Sequence, residues 1–401
     1  MIIFLFISFL LTIFYVSIML TYKNEWNDLK ETNELAANVN TFISVIIPAR
    51  NEAQNINHIL NDIFQQNYPP DLLEIIVIDD NSEDNTYDIC LQLAQNNAQL
   101  KVYKLNDLIE NKSIAAYKKR AIEVAVHKAN GTLIVTTDAD CRAQKNWLRS
   151  IATFYEKEKP TLIAAPVCFQ HDKTRFEKFQ TLDFCGMQAI TGASLNMEMF
   201  NMANGANLAY EKQAFIDVEG YQHIDAKASG DDMLLVYKIA QRFSENVRFL
   251  KNKNAIVYTE PQRSLDDFLQ QRFRWTSKSR SYQDRRITVI LGLVYLFVLS
   301  IWMNGFYFIG RATYSVIFPD KTLIALLNFL PAFLFLFMSI LQIICKFFID
   351  YFFLKSASVF FNREDLMKTF VISEFYHIWY IPFVGTFGNI LQYKWKGRKL
   401  S

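Results

Sequence analysis

Carboxylates placed where strands end are the residues of this sequence best suited to chemistry. The segment TTDAD sets Asp138 and Asp140 two positions apart at the close of an apolar run. Alternate residues of a strand point the same way. Where the chain turns at the strand end, one or both carboxylates can reach a divalent ion that also binds a diphosphate. A bare Asp pair more often caps the next helix, so its neighbours decide the reading. In EIIVIDDNSEDNT, Asp79 and Asp80 end a second apolar run just before the helix start Ser82, Glu83 and Asp84. A carboxylate held there could accept the N3 proton of a uracil ring, while Ser82 or Asp84 serves as N-cap. PARNE ends a third run and brings Arg50 and Glu52 to the same rim. Further along, SGDDMLL carries Asp231 and Asp232 after a glycine, and QRFRW carries Gln271, Arg274 and Trp275.

The elements that must position these groups alternate between β-rich runs and helical patterns, which implies an α/β fold with parallel strands joined by crossover helices. Strands are expected at 42–48, 73–79, 100–105, 132–137 and 161–169, and helices at about 54–66, 84–96, 113–129 and 146–157. Such a sheet binds ligands at the carboxyl ends of its strands, where the acidic clusters fall. Neither GxGxxG nor GxxxxGK(S/T) follows the first strand, which excludes a dinucleotide fingerprint and a P-loop. His58, His127, His171, His223 and His377 lack zinc-ligand spacing and are assigned no role. The five cysteines form no CxxC pair, and an odd number fits a reducing compartment.

Three uncharged apolar runs, 1–22, 287–310 and 322–345, each exceed the roughly 20 residues that cross a bilayer core. They imply an integral membrane protein with an N-terminal transmembrane anchor and two C-terminal spans. A third C-terminal segment, 369–391, is read as transmembrane or re-entrant, with Pro382, Gly385 and Gly388 interrupting any helix. Residues 23–286 hold 32 basic and 35 acidic side chains, so the soluble part has no basic field for nucleic acid. Residues 263–286, with seven basic and three acidic side chains, read as an amphipathic interfacial helix against anionic headgroups. Lys23 and Lys30 after the first run, and the basic tail at 394–401, place the domain between them in the cytoplasm.

SVIIPARNE, IVIDDNSEDNT and TTDADC together resemble the opening motifs of glycosyltransferase family 2, in order and at ordinary spacing, over about residues 42–280. The resemblance implies a GT-A domain at 42–262 that transfers sugar from a nucleotide sugar, usually with Mg²⁺ or Mn²⁺. It implies that Pro48, Arg50, Glu52 and Asp80 line the nucleoside pocket, that Asp138 lies beside the nucleotide, and that Asp140 is the metal ligand. SGDDMLL and QRFRW resemble the membrane branch with a QxxRW motif: cellulose, chitin, hyaluronan and poly-N-acetylglucosamine synthases and ceramide glucosyltransferases. By that likeness Asp232 is the catalytic base, Asp231 stands where Glu is usual, and Gln271, Arg274 and Trp275 complete the motif. Lys118 sits where the family often has a Gly-Lys stretch, with Tyr117 in place of the Gly, and is a candidate diphosphate contact.

An inverting transfer needs a carboxylate to take the acceptor hydroxyl's proton as its oxygen attacks the anomeric carbon opposite the leaving diphosphate. A cation such as Arg274 stabilises that leaving group, and Trp275 can wall the acceptor sugar. The expectation is a cell inner membrane enzyme with its catalytic domain in the cytoplasm, moving sugar from a UDP-sugar to a lipid or lipid-linked glycan. A processive polysaccharide synthase is the alternative within the class. A non-catalytic membrane scaffold that binds nucleotide sugar is the alternative outside it, and retention of Asp140, Asp232 and Arg274 weighs against that.

Overall fold

The computed structural model describes residues 1–109, 116–200, 202–224, 230–278, 282, 284–317, 323–388, 390–391, 393–395 and 398–400, with backbone alone at 231, 323–329, 393–395 and 398–400. Its elements in chain order begin with α1 (Ile2–Asp28), β1 (Ile43–Ala49), α2 (Ile56–Phe64), β2 (Leu73–Asp79), α3 (Thr86–Gln95) and β3 (Leu100–Lys104). There follow α4 (Tyr117–Lys128), β4 (Leu133–Thr136), β5 (Arg142–Ala143), α5 (Trp147–Glu158), β6 (Leu162–Ala164), β7 (Val167–Phe169) and α6 (Arg175–Asn196). Next come β8 (Leu208–Glu211), α7 (Lys212–Asp217), α8 (Asp231–Phe243), β9 (Val247–Phe249), β10 (Val257–Thr259) and α9 (Leu265–Ser277). The chain closes with α10 (Arg285–Ile317), α11 (Leu323–Phe360), α12 (Phe370–Phe387), β11 (Tyr393–Trp395) and β12 (Arg398–Leu400).

Seven strands form one sheet in the order β3-β2-β1-β4-β8-β6-β9. Only β8 runs antiparallel to its neighbours. The apolar runs of β1, β2 and β4 are buried on both faces, as a helix-covered parallel sheet requires. Val45, Ile47, Ile75, Val77 and Val135 enter one core. Their alternates Ile46, Ile76, Ile78 and Ile134 enter the other, which runs without a break into α1, α10 and α11. Strands β1 and β4 approach closely at Gly131, where a Cβ would lie 2.5 Å from Ser44 Oγ. That hydroxyl accepts the Gly131 N–H at 2.8 Å and donates to the buried Glu74.

The single strand expected over 161–169 is two strands in two sheets. Pro166 separates them: β6 joins the large sheet, and β7 joins a small one in the order β5-β10-β7. Asn207 holds the switch, since its Nδ2 donates to Pro166 O and Ala255 O, both at 2.8 Å.

Helices α1 and α10, and Leu330–Phe360 of α11, are long and apolar enough to cross a membrane. Three of their ends meet the α/β domain. Lys251 Nζ donates to Trp26 O and Leu29 O after α1, Arg286 donates to Glu198 O at the start of α10, and Arg363 pairs with Asp172 at 2.8 Å after α11.

Helix α12 is continuous through Pro382 and Gly385 and stops only at Gly388, so two of the three expected interruptions are absent. Pro382 has no N–H for Ile378 O, one turn back. Trp302 Nε1 on α10 donates to that oxygen at 3.0 Å instead. The amphipathic stretch before the membrane helices also differs from expectation. The apolar face of α9 is turned to protein, with Phe268 and Phe273 buried against Phe179 of α6 and Tyr380 and Val384 of α12. An apolar stripe at helical spacing is the same whether a lipid surface or another helix covers it.

Candidate active site

The rim formed by the ends of β1 and β2 is stapled by one side chain. Arg50 donates to Asp80 O at 2.8 Å and Asn81 O at 2.7 Å, and pairs with Glu83 at 3.0 Å. Asn51 and Asn81 turn the two loops in the left-handed region, with φ of 52° and 54°. Asn51 Oδ1 then accepts the Glu83 N–H at 2.8 Å. Glu52 and Asp80 are buried within this rim, and Glu52 accepts from Asn55 Nδ2 at 2.7 Å. Pro48 lies beyond the last β1–β4 pair, Ile46↔Thr136, so its missing N–H leaves that ladder intact.

Strand β4 delivers TTDAD to the same end of the sheet. Thr136 Oγ1 donates to Gly205 O at 2.8 Å, binding the strand end to the loop at 204–207. Asp138 pairs with Lys118 of α4 at 2.8 Å, and Asp140 is exposed at the edge of a cavity. Burial pushes the Cys141 thiol well up, and Asp140 and Asp138 push it the same way, so it is neutral at ordinary pH.

Two carboxylates and no histidine suit Mg²⁺ or Mn²⁺, which take oxygen ligands and commonly bind through one or two carboxylates plus substrate phosphates. Among the described residues no group of three or more His, Cys, Asp or Glu side chains could hold an ion without such help.

Asp232 opens α8 behind Gly230, whose φ of +84° no other residue type adopts so readily. The Asp231 side chain lies outside the described residues. Asp232 Oδ1 accepts the Met233 N–H at 2.7 Å and Lys278 Nζ at 3.1 Å, while Oδ2 receives only the Lys278 contact, at 3.3 Å, among the described residues. Tyr282 stands nearby, its hydroxyl pKa pushed up to about 12 by burial and by Asp232. Lys278 and Tyr282 are absent from the sequence-based site. Lys278 had a usable signal: it lies four residues after Arg274 on one helix face.

The QxxRW helix is fixed by a buried pair. Arg272 donates to Asp183 of α6 at 2.7 Å, and Tyr380 of α12 donates to the same carboxylate at 3.1 Å. The Arg272 guanidinium lies 4.4 Å from the centre of the Trp275 ring, which stacks on Phe184 at 5.9 Å. Trp275 is therefore held between protein groups on two sides, which leaves only part of it to face an acceptor.

One cavity of about 1110 Å³ gathers Lys118, Asp138, Asp140, Asp232, Gln271, Arg274 and Trp275. Pro48, Arg50, Glu52 and Asp80 are not part of its lining; they form the adjoining rim. The cavity continues past Asp183 to Tyr15, Ile290, Asp350 and Glu374 of the membrane-length helices and α12. The polar end thus continues into a passage whose lining mixes apolar side chains with Asp183, Asp350 and Glu374.

The strand order, with one antiparallel strand inserted and acidic residues at the carboxyl rim, is that of a GT-A glycosyltransferase domain. Residues 44–211 match Glycosyl transferase family 2. Residues 133–349, more than half of the chain, match Glycosyl transferase family group 2, and the chain belongs to that family of enzymes acting on nucleotide sugars. Glycosyltransferase AglE of Haloferax volcanii is 26% identical over 236 residues, covering 58% of this chain and 71% of its own. The beta-monoglucosyldiacylglycerol synthase of Trichormus variabilis is 25% identical over 135 residues, covering 34% of this chain and 28% of its own. Among solved structures, the mannosyltransferase PcManGT of Pyrobaculum calidifontis, in complex with GDP-Man and Mn²⁺, has a TM-score of 0.55 at 17% identity, covering 93% of this chain and 99% of its own.

Proposed function

We propose that the protein is an integral membrane glycosyltransferase that moves a sugar from a UDP-sugar to a lipid or lipid-linked acceptor, with inversion at the anomeric carbon. The observation that carries this is the continuity of the cavity from Asp138 and Asp140 to the membrane-length helices. A lipid hydroxyl can reach such a site at membrane depth, without the enclosed channel a growing polymer needs. Relatives named for a monoglucosyldiacylglycerol and, in Methanococcus voltae, for a dolichyl N-acetyl-alpha-D-glucosaminyl phosphate fit a lipid-borne substrate.

In this reading Asp80 and Glu52 form the nucleoside side of the site, and Arg50 holds its loops. Lys118 and Arg274 face the diphosphate. Asp140, with Asp138 beside it, would hold Mg²⁺ or Mn²⁺, which would supply positive charge to the leaving diphosphate. Lys278 orients Asp232, whose Oδ2 accepts the acceptor proton while the acceptor oxygen bonds to the anomeric carbon. Gln271 and Trp275 border the acceptor. The catalytic domain faces the cytoplasm at the inner membrane, where nucleotide sugars are made.

The experiment is a donor screen in proteoliposomes, following UDP release and product mass. Short chloroform-soluble glycolipid is expected. Long water-soluble glycan from the isolated protein would overturn the lipid reading in favour of a polysaccharide synthase.

A further inference from the structure

Lys278 caps the carboxyl end of α9, one helical turn beyond Arg274. Its side chain is 13% exposed and that of Asp232 12%, so the two charges meet largely out of water. An ammonium carries three N–H donors. The contacts with the two Asp232 oxygens, at 3.1 Å and 3.3 Å, engage at most two of them, and no protein group takes the third among the described residues. A charged donor so far from water is costly to leave without an acceptor. The space beside it is the cavity that Lys278 lines together with Asp138, Asp140 and Arg274.

Two plainer roles exist for this side chain. A cation at the carboxyl end of α9 complements the helix dipole, and an ammonium beside Asp232 offsets a buried carboxylate. Neither uses the third donor.

We infer that the third donor of Lys278 binds a diphosphate oxygen of the UDP-sugar, so that one ammonium joins the base to the leaving group. The inference rests on the transfer reaction proposed above and adds to it a catalytic residue that lies outside the QxxRW motif. In an in-line transfer the acceptor oxygen lies about 3 Å from both the base and the anomeric carbon, which puts base and leaving oxygen about 6 Å apart. An ammonium that donates to Asp232 at 3.1 Å and to a phosphate oxygen at about 2.8 Å spans about the same distance.

The charges then move in step. The acceptor oxygen bonds to the anomeric carbon, and the bond from that carbon to the UDP oxygen breaks with its electron pair left on the diphosphate. The hydroxyl proton passes to Asp232. Protonation removes the charge that holds Lys278 to Asp232 just as the diphosphate gains charge, so the ammonium tightens on the leaving group. A contact that strengthens toward the transition state speeds the chemical step.

The test is equilibrium binding to full-length protein in phosphatidylcholine vesicles with Mn²⁺, comparing UDP with uridine, which lacks the diphosphate. Lys278→Met should bind UDP at least about tenfold more weakly than the parent, as expected for one lost charge-assisted bond, and uridine as tightly as the parent. Lys278→Arg, which keeps the charge, should stay within about threefold of the parent for UDP. UDP affinity equal in Lys278→Met and parent overturns the inference. Parallel loss of UDP and uridine marks a structural role and overturns it too, and so does equal loss in the methionine and arginine variants. In each of these cases the parent binds UDP and the UDP-sugar reading stands. A parent that binds no UDP overturns that reading and the inference together.

Discussion

In the proposed reaction Asp232 is the side chain on which transfer turns: Lys278 contacts both of its oxygens, and Oδ2 takes no other contact among the described residues. Replacing Asp232 with Asn keeps the shape and removes the proton acceptor. Turnover should fall by about 10²–10⁴-fold, the usual worth of a general base, with donor affinity nearly unchanged. Loss of nucleotide binding in parallel with turnover would remove Asp232 from the acceptor side of the reaction. Asp140→Ala should behave oppositely, since the proposal puts Asp140 beside the diphosphate. Titration with Mn²⁺ should show donor binding that no longer strengthens with the metal, and a metal response equal to that of the parent would displace Asp140 as ligand.

At the scale of elements, α9 is held to the rest of the protein by one buried ion pair and a set of rings. Arg272 and Asp183 have side chains 4% and 8% exposed. Truncating one partner of such a pair leaves a buried charge and costs about 3–5 kcal/mol. Arg272→Ala should therefore lower the thermal unfolding midpoint in detergent, and Trp275 should lose the cation that covers one face of its ring. Arg272→Met, which fills the space without charge, should not repair this, because Asp183 stays buried with Tyr380 alone at hydrogen-bond distance among the described residues. If Arg272→Ala unfolds at the same temperature as the parent, α9 is held by its aromatic contacts alone.

For the whole molecule, the ends of α1, α10 and α11 that meet the catalytic domain dictate an alternating path. The start of α1 and the C-terminal part of α10 lie together at the far end, where Tyr307 meets Met1. The link from α11 to α12 lies at the catalytic domain, where Lys253 donates to Asn362 at 3.1 Å. A cysteine placed at Asn362 should react with a membrane-impermeant maleimide only in inverted vesicles, together with one placed at the exposed Asp71. Reaction of the two from opposite faces would break the arrangement.

The sequence alone determined the strands that carry chemistry and the types of residue at their ends. Runs such as LEIIVID are too apolar to lie anywhere but inside a covered sheet, and the acids after them must then fall at its rim. The apolar lengths of α1, α10 and α11 were legible for the same reason: burial of a whole helix surface needs either lipid or a large core. Periodicity could not say what covers an apolar face, so α9 read as a membrane-surface helix, whereas Phe268 and Phe273 are buried against α6 and α12. Proline and glycine in α12 read as breaks because their cost is local, whereas the indole of Trp302 that meets the freed carbonyl comes from α10, 76 residues away in sequence. The antiparallel β8, the pairing of Asp232 with Lys278 and the passage from catalytic rim to membrane helices are likewise contacts between distant segments. Residue types set what each group can do, and only the tertiary structure decides which groups meet.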